Sequence, residues 1–289
     1  MKGKILSVES FDSDEEFVYN IEVADNHNYF ANNILTQNCH ITGAKKIHEV
    51  MMWLNAKYRY GTSATPWRLA GDDMRMFASI GEMSKGITAT DLIRHPEKYL
   101  VPARIQFYQM PRPFDGWQCS DYSKWQVLYR EGIVENGPRN QFLAKKSIEL
   151  VNEGRVTLIM CQYIDHGELL QMELKKMGYE VPFIHGSIAI GKRKTLTKEF
   201  RAGKIPMIIS SSVWNIGVDF PIVSGMVMAG PYKSQVQNVQ RVGRGLRPYP
   251  GKVDCKVVEA WDNYLPMIKD WALDRFEYYN SEDAFEVHA

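Results

Sequence analysis

The sequence predicts an α/β protein, a mostly parallel, doubly wound sheet with flanking helices, preceded by a small all-β segment. Three observations carry this. From about residue 40 onward, short apolar runs alternate with helix-like segments, and strands separated by helices pair in parallel. Before residue 40 the style differs: short apolar runs are separated by Asn and Asp, as in small β structure with tight turns. Finally, 289 residues at 45% hydrophobic and 24% charged suit about two globular domains and exclude a disordered, collagenous or disulfide-scaffolded chain.

The elements follow in order. Residues 17–23 and 29–35 are the apolar runs of the first segment. A helix is expected over 45–53 and a strand near 58–60. Residues 104–110 read as a strand, and the Pro- and Gly-containing stretch 111–121 as a linker or insertion. A helix over 139–151 leads to a strand at 157–162. The helix 167–177 places Leu170, Leu174 and Met177 on one face. Next come a strand at 182–184, a helix over 192–201 with Leu196 and Phe200, and strands at 206–210 and 224–229. A helix at 236–244 and a strand at 255–260 precede a final helix, about 263–280, with Tyr264, Ile268, Trp271 and Tyr279 at helical spacing. In such a sheet ligands are expected at the carboxyl ends of the strands.

Charge is uneven although the net is +1. Residues 1–38 hold seven acids against two lysines, whereas Lys233, Arg241, Arg244, Arg247, Lys252 and Lys256 cluster late, with Asp254 alone among them. Such a run suits phosphate, of nucleic acid or nucleotide, or else is a solvated basic face. Cys39, Cys119, Cys161 and Cys255 lie far apart with no C-x-x-C pair, so free thiols and no metal site are expected. No long apolar run marks a membrane span and acids begin at Glu9, so the expected location is cytoplasmic.

Two stretches carry chemistry. The first is Val18-Tyr19-Asn20-Ile21-Glu22-Val23, continuing to His27-Asn28-Tyr29-Phe30-Ala31-Asn32-Asn33-Ile34-Leu35-Thr36-Gln37-Asn38-Cys39. An Asn side-chain amide can attack its own backbone carbonyl, forming a succinimide and cutting the chain after itself. A Cys thiolate that follows can accept an acyl group and pass it to its own amine. The stretch resembles the C-terminal end of an intein. The resemblance implies that Asn38 and Cys39 are the reacting residues and that His27 moves protons. Gln37 stands where the family usually has His, and Asn20 where it usually has Asp. With 38 residues ahead of Cys39, the segment resembles the C-terminal half of a split intein, or a truncated gene. It implies an N-terminal polypeptide partner, expected to be basic where this leader is acidic.

The second is a set of three motifs. Gly61-Thr62-Ser63-Ala64-Thr65-Pro66, the run from Ser210 through Gly217-Val218-Asp219-Phe220-Pro221, and Gln240-Arg241-Val242-Gly243-Arg244-Gly245-Leu246-Arg247-Pro248 follow one another across some 190 residues. If 240–247 is helical, Gln240, Arg244 and Arg247 share a face, and two guanidiniums there can clamp a phosphate. The set resembles motifs III, V and VI of superfamily-two helicases, and His185-Gly186 with Arg193 fits their second domain. The resemblance implies a RecA-like fold and ATP with Mg²⁺, held mainly by a missing N-terminal half. Arg244 and Arg247 would act on the γ-phosphate. Gly217, Asp219, Gln240 and Arg241 would lie near the nucleotide, Arg241 serving an internal ion pair or a nearby phosphate. Ser211 would approach a nucleic-acid phosphate, and Ser63 and Thr65 would couple the two sites. Cys39-His40 directly after the junction would complete an Asp-Glu-Cys-His motif if the partner ends in Asp-Glu, which gives His40 its role. The run 186–193 approaches a phosphate-binding loop but ends in Arg193, without the Mg²⁺ hydroxyl. Trp214, Trp261 and Trp271 are either base-stacking platforms or, as is commoner, core residues.

The expected organisation is an intein segment over 1–38, the tail of a first helicase domain over 39–103, and a second RecA-like domain over 104–289. The implied protein is a DNA helicase precursor of the phage UvsW-type and excision-repair branch, unable to hydrolyse ATP alone. The alternatives are a type III restriction or remodelling motor subunit, or a non-catalytic nucleic-acid-binding module with an inactive intein remnant.

Overall fold

A computed structural model of the chain describes residues 28–31, 34–38, 45–53, 58–62, 73–81, 87–211, 220–231 and 235–289. By its contacts the chain divides into two compact units, Met1–Met83 and Ser84–Ala289.

In the first unit, β1 (Asn28–Ala31) and β2 (Ile34–Asn38) form an antiparallel hairpin. Helix α1 (Lys45–Trp53) then returns the chain to β3 (Tyr58–Thr62), which pairs with β2 in parallel. This is a β-α-β crossover, the connection that parallel neighbours require. Helix α2 (Asp73–Ile80) packs on α1 through buried Met51 and Met76. There His48 Nδ1 meets Ser79 Oγ at 2.7 Å.

The second unit is a seven-stranded parallel sheet. Its strands are β4 (Ala103–Gln109), β5 (Thr157–Met160), β6 (Phe183–Ile184), β7 (Met207–Ser210), β8 (Gly225–Met228), β9 (Cys255–Trp261) and β10 (Glu286–His288), in the order β10-β4-β9-β8-β5-β7-β6. Strands β5, β7 and β8 are buried at every position, as expected of parallel strands covered on both faces. Their side chains divide by period two. Leu158, Met160, Ile208, Met226 and Met228 face Phe200, Val242, Leu246 and Tyr279. Ile159, Ile209 and Val227 face Leu143, Leu150, Leu170 and Leu174. Helices α5 (Gly137–Asn152) and α6 (Ile164–Lys176) therefore cover one side. Helices α7 (Ile190–Arg201), α8 (Gln235–Gly245) and α9 (Pro266–Asn280) cover the other.

Several expectations are corrected. Residues 84–103, assigned by motif to the first domain, belong by contact to the second unit. Helix α3 (Ala89–Arg94), closed by a Thr88–Asp91 capping box, is tied there by Thr90 Oγ1, which donates to Glu282 at 3.0 Å. Stretch 111–121 is no linker: Trp117 and Cys119 are buried with Leu128, Ile133, Leu265 and Ile268 in a third apolar cluster. That cluster holds α4 (Trp125–Tyr129) and a π-helical turn, Arg130–Val134, neither of which the periodicity showed. The final helix starts at Pro266, so Tyr264 precedes it. Trp261 packs edge-on against Phe107, and Trp271 against the third cluster, so both are half-buried against the core. Trp214 lies outside the described residues.

Candidate nucleotide and nucleic-acid sites

Helix α8 follows β8 and runs back against the strands, so it ends at their amino edge. Leu246 O, just past the helix, accepts from Val101 N at 2.7 Å, two residues before β4 begins. A side chain at Gly245 would collide with Met226 Sδ and Cys255 Sγ, near the starts of β8 and β9. That close approach is why the last turn carries glycine. Here the sequence expectation fails in two ways. Gln240 and Arg244 occupy positions one turn apart on α8, but Arg247 lies beyond its end and is exposed. The arginines also sit at the amino end of the sheet, not the carboxyl end.

This amino edge uses most of the late basic run internally. Lys252 Nζ donates to Pro221 O at 2.9 Å, Gly245 O at 2.6 Å and Arg247 O at 2.9 Å. It thereby ties the chain just after Asp219 to the segment carrying Arg244 and Arg247, and it neutralises helix-end carbonyls. Lys256 pairs with Glu153 at 2.7 Å. Asp254, 4% exposed, pairs with Arg155 at 2.6 Å and Arg104 at 3.2 Å. Arg241 is 1% exposed, and its charge is one of the influences opposing burial at the Glu259 carboxyl. Half-buried Arg244 and exposed Arg247 remain at the surface; Lys233 lies outside the described residues.

The carboxyl end is different. The helices after β5 and β8 go to opposite faces, so these neighbouring strands part at their carboxyl ends, the switch point of an open sheet. Gly230 lies there, where a Cβ would come within 3.0 Å of Tyr129 Oη and 3.1 Å of Gln162 N. Beside it is a buried polar cluster. Arg139 Nε and Nη2 donate to the two oxygens of Asp262, at 2.7 and 3.1 Å, with both side chains fully buried. The Asn136 amide oxygen caps α5 by accepting from Arg139 N, while its nitrogen donates to Pro111 O, Gly132 O and Tyr264 Oη. Asn140 Nδ2 donates to Val134 O, which leaves its oxygen to accept from His166 Nε2 at 3.0 Å. The His166 proton therefore resides on Nε2. Burial first, and then the Arg139 charge, hold the His166 pKa down to about 3, so the ring is neutral. Arg139 Nη1 and His166 Nδ1 are buried without a hydrogen-bond partner among the described residues.

The chain matches the helicase conserved C-terminal domain family over residues 140–248. Residues 140–248 are a helicase C-terminal domain. The similar proteins agree. The DNA 3'-5' helicase XPB of Mycobacterium tuberculosis is 32% identical over 198 residues, 68% of this chain and 34% of that protein. The ATP-dependent DNA helicase uvsW of Enterobacteria phage T4 is 21% identical over 231 residues, 79% of this chain and 45% of that one. Among solved structures, yeast Dbp5 bound to RNA and ADP–BeF3 superposes over 88% of this chain and 59% of its own, with a TM-score of 0.56 at 15% identity; this shows the fold alone. The chain spans half or less of its curated relatives, 31% and 45% of two of them.

Within this helicase domain the motif residues part company. Ser211 is 3% exposed just past β7 at the carboxyl end, its amide held by Ile184 O at 3.0 Å. Arg244 and Arg247 are at the opposite edge. Asn38 closes β2. His27, Cys39, His40, Ser63, Thr65, Gly217 and Asp219 lie outside the described residues. The sequence reading missed the cluster around Arg139 and Asp262. One signal was present: Asn136 ahead of Pro138 is a helix start that places the helix earlier than residue 139. The pairing of positions 139 and 262 left no local trace. The thiols of Cys161 and Cys255 are pushed up to about 12, chiefly by burial. Among the described residues no helix is long and apolar enough to cross a membrane.

Proposed function

We propose that the chain is the carboxyl-terminal part of an ATP-dependent superfamily 2 DNA helicase, matured by trans-splicing at Asn38 and Cys39. The observation that carries the helicase part is the Lys252 tether, which draws the segment after Asp219 and the Arg244–Arg247 segment to one edge of a helicase C-terminal domain. Arg244 and Arg247 fit a polyphosphate, since guanidiniums bind phosphate oxygens in pairs and are always charged. ATP supplies a γ-phosphoryl group whose developing charge such groups stabilise. By the helicase resemblance, Mg²⁺ is assigned mainly to the N-terminal polypeptide, together with His40. Ser211 and the carboxyl-end crevice face nucleic acid.

For splicing, the Cys39 thiolate attacks the partner's acyl thioester and the partner's thiol leaves. Asn38 Nδ2 then attacks the Asn38 carbonyl carbon, breaking the 38–39 peptide bond and freeing the Cys39 amine. That amine takes the acyl group from its own sulfur, restoring an amide and a thiol. His27 moves the protons. Support comes from the residue string around the junction. Position Asn38 also ends a strand paired in parallel with β3, opposite Thr62, so Cys39-His40 and Ser63 follow two neighbouring strand ends.

The test is co-expression with a polypeptide carrying an amino-terminal intein half after a nucleotide-binding segment, with products weighed by mass spectrometry. A ligated product lacking residues 1–38 is expected, with DNA-stimulated ATPase that the separate chain lacks. ATP hydrolysis by the purified chain alone would overturn the helicase assignment of the missing half. An inert mixture would overturn splicing.

A further inference from the structure

The junction lies inside a structural unit rather than between two. Strand β2 belongs to the leader, and α1 and β3 to the body, yet the three form one parallel β-α-β crossover. The register is continuous, from Ile34 opposite Tyr58 to Asn38 opposite Thr62. Strand β2 is also central, with β1 on its other side. Excision after Asn38 would remove β1 and β2 together and leave β3 with a bare edge. Unpaired strand backbone is costly when buried and sticky when exposed. Ligation, however, places a new residue where Asn38 stood, and the chain leading to it must enter along the same line. On the same unit's helices Met52, Trp53 and Met74 are uncovered, Trp53 at 89% exposure, as befits a unit meant to receive more chain.

We propose that Ile34–Asn38 is a placeholder strand, holding beside β3 the position that the carboxyl-terminal residues of the incoming polypeptide take over when the leader is excised. This rests on the splicing reading of Asn38 and Cys39. The occupant is an extended, proline-free segment of about five residues, in parallel register, with its last residue opposite Thr62 and bonded to Cys39. Until excision the leader occupies that edge, so the first domain cannot close around its proper strand and the precursor is held inactive.

Hydrogen exchange of the β3 amides that point toward β2, alternate residues within Tyr58–Thr62, tests this. In the Asn38→Ala chain, which keeps the leader attached, they should be protected. Adding Thr36→Pro should speed their exchange at least tenfold. In the ligated product, where position 36 is gone, they should be protected again. Because Thr36→Pro can unfold the unit, oxidation of a Thr36→Cys/Tyr60→Cys chain gives a second reading. These register partners should cross-link, whereas Thr36→Cys with Arg59→Cys should not, since one residue of slip turns the side chain to the other face. If ligated product forms but its β3 amides are unprotected, or if neither the proline nor the cross-link behaves as stated, the placeholder is wrong while splicing stands. If no ligated product forms, the splicing reading falls and the placeholder falls with it.

Discussion

At the amino edge of the sheet Arg244 and Arg247 stand half-buried and exposed, on a segment whose carbonyls are gathered by Lys252. At the carboxyl edge Arg139 is fully buried, bonded through two nitrogens to Asp262. The residue type is the same and the work is opposite. A guanidinium near the surface lies within reach of an incoming phosphate. One sealed against a carboxylate is committed to holding α5 to the end of β9. What distinguishes them is not the local sequence but how deeply the fold buries each one.

Two substitutions break the comparison most sharply. Arg244→Ala in the ligated protein should lower ATP turnover by about 10³-fold or more, as loss of an arginine finger does, while the denaturation midpoint of the chain changes little. Arg139→Met should do the reverse. It strands the Asp262 carboxylate in the interior and should cost about 3–5 kcal/mol of stability, read by chemical denaturation. Adding Asp262→Leu should recover much of that loss, because an apolar pair of similar volume needs no desolvation. Equal stability losses for Arg244→Ala and Arg139→Met would erase the distinction.

The next test uses pH. His166 titrates near 3 in the folded chain against 6.5 for an ordinary histidine. Its folded value is depressed, so between about 6.5 and about 3 the unfolded chain binds more proton. Stability is therefore full above 6.5 and falls as pH drops through that window, by up to about 1.4 kcal/mol per pH unit. His166→Gln keeps a donor toward Asn140 and should flatten this slope. Acid sensitivity unchanged in that variant would place its origin elsewhere.

These contrasts also mark what sequence could convey. The parallel α/β character was plain in the alternation of short, mostly apolar runs such as β5, β7 and β8 with helix-like segments, since strands separated by helices pair in parallel. Helix α1 was readable to its ends from its own periodicity. Motif VI read Gln240, Arg244 and Arg247 onto one helical face, but the helix ends at Gly245, where the backbone lies too close to Met226 and Cys255 for a side chain, a closeness that exists only in the assembled sheet. The late basic run looked like one patch. Lys252 and Lys256 were in fact committed, to carbonyls and to Glu153, partners whose nearness arises only when the sheet is assembled. Arg139 and Asp262, 123 positions apart, are the extreme case: each is ordinary in its own neighbourhood. Residues 111–134 misled for another reason. Proline and glycine spell loop, and Trp117 is held against Tyr264 by tertiary packing alone.

The smallest expected effect separates hydroxyl from ion pair within the carboxyl-end cluster. Tyr264 Oη donates to Gly132 O at 2.9 Å and accepts from Asn136 Nδ2 at 2.8 Å, with the Asp262 carboxylate 3.3 Å away. Burial and the nearby Asp262 charge push its own pKa upward, so it stays a neutral donor at any working pH. Tyr264→Phe keeps the ring's edge-on contact with Trp117 and removes only the oxygen. Asn136 retains Pro111 O and Gly132 O as acceptors, so no donor is orphaned, and the loss should be about 1 kcal/mol, the ordinary net value of one such bond. A cost near that of Arg139→Met would mean that the hydroxyl, and not the Arg139–Asp262 bond, locks the π-turn segment to the end of the sheet.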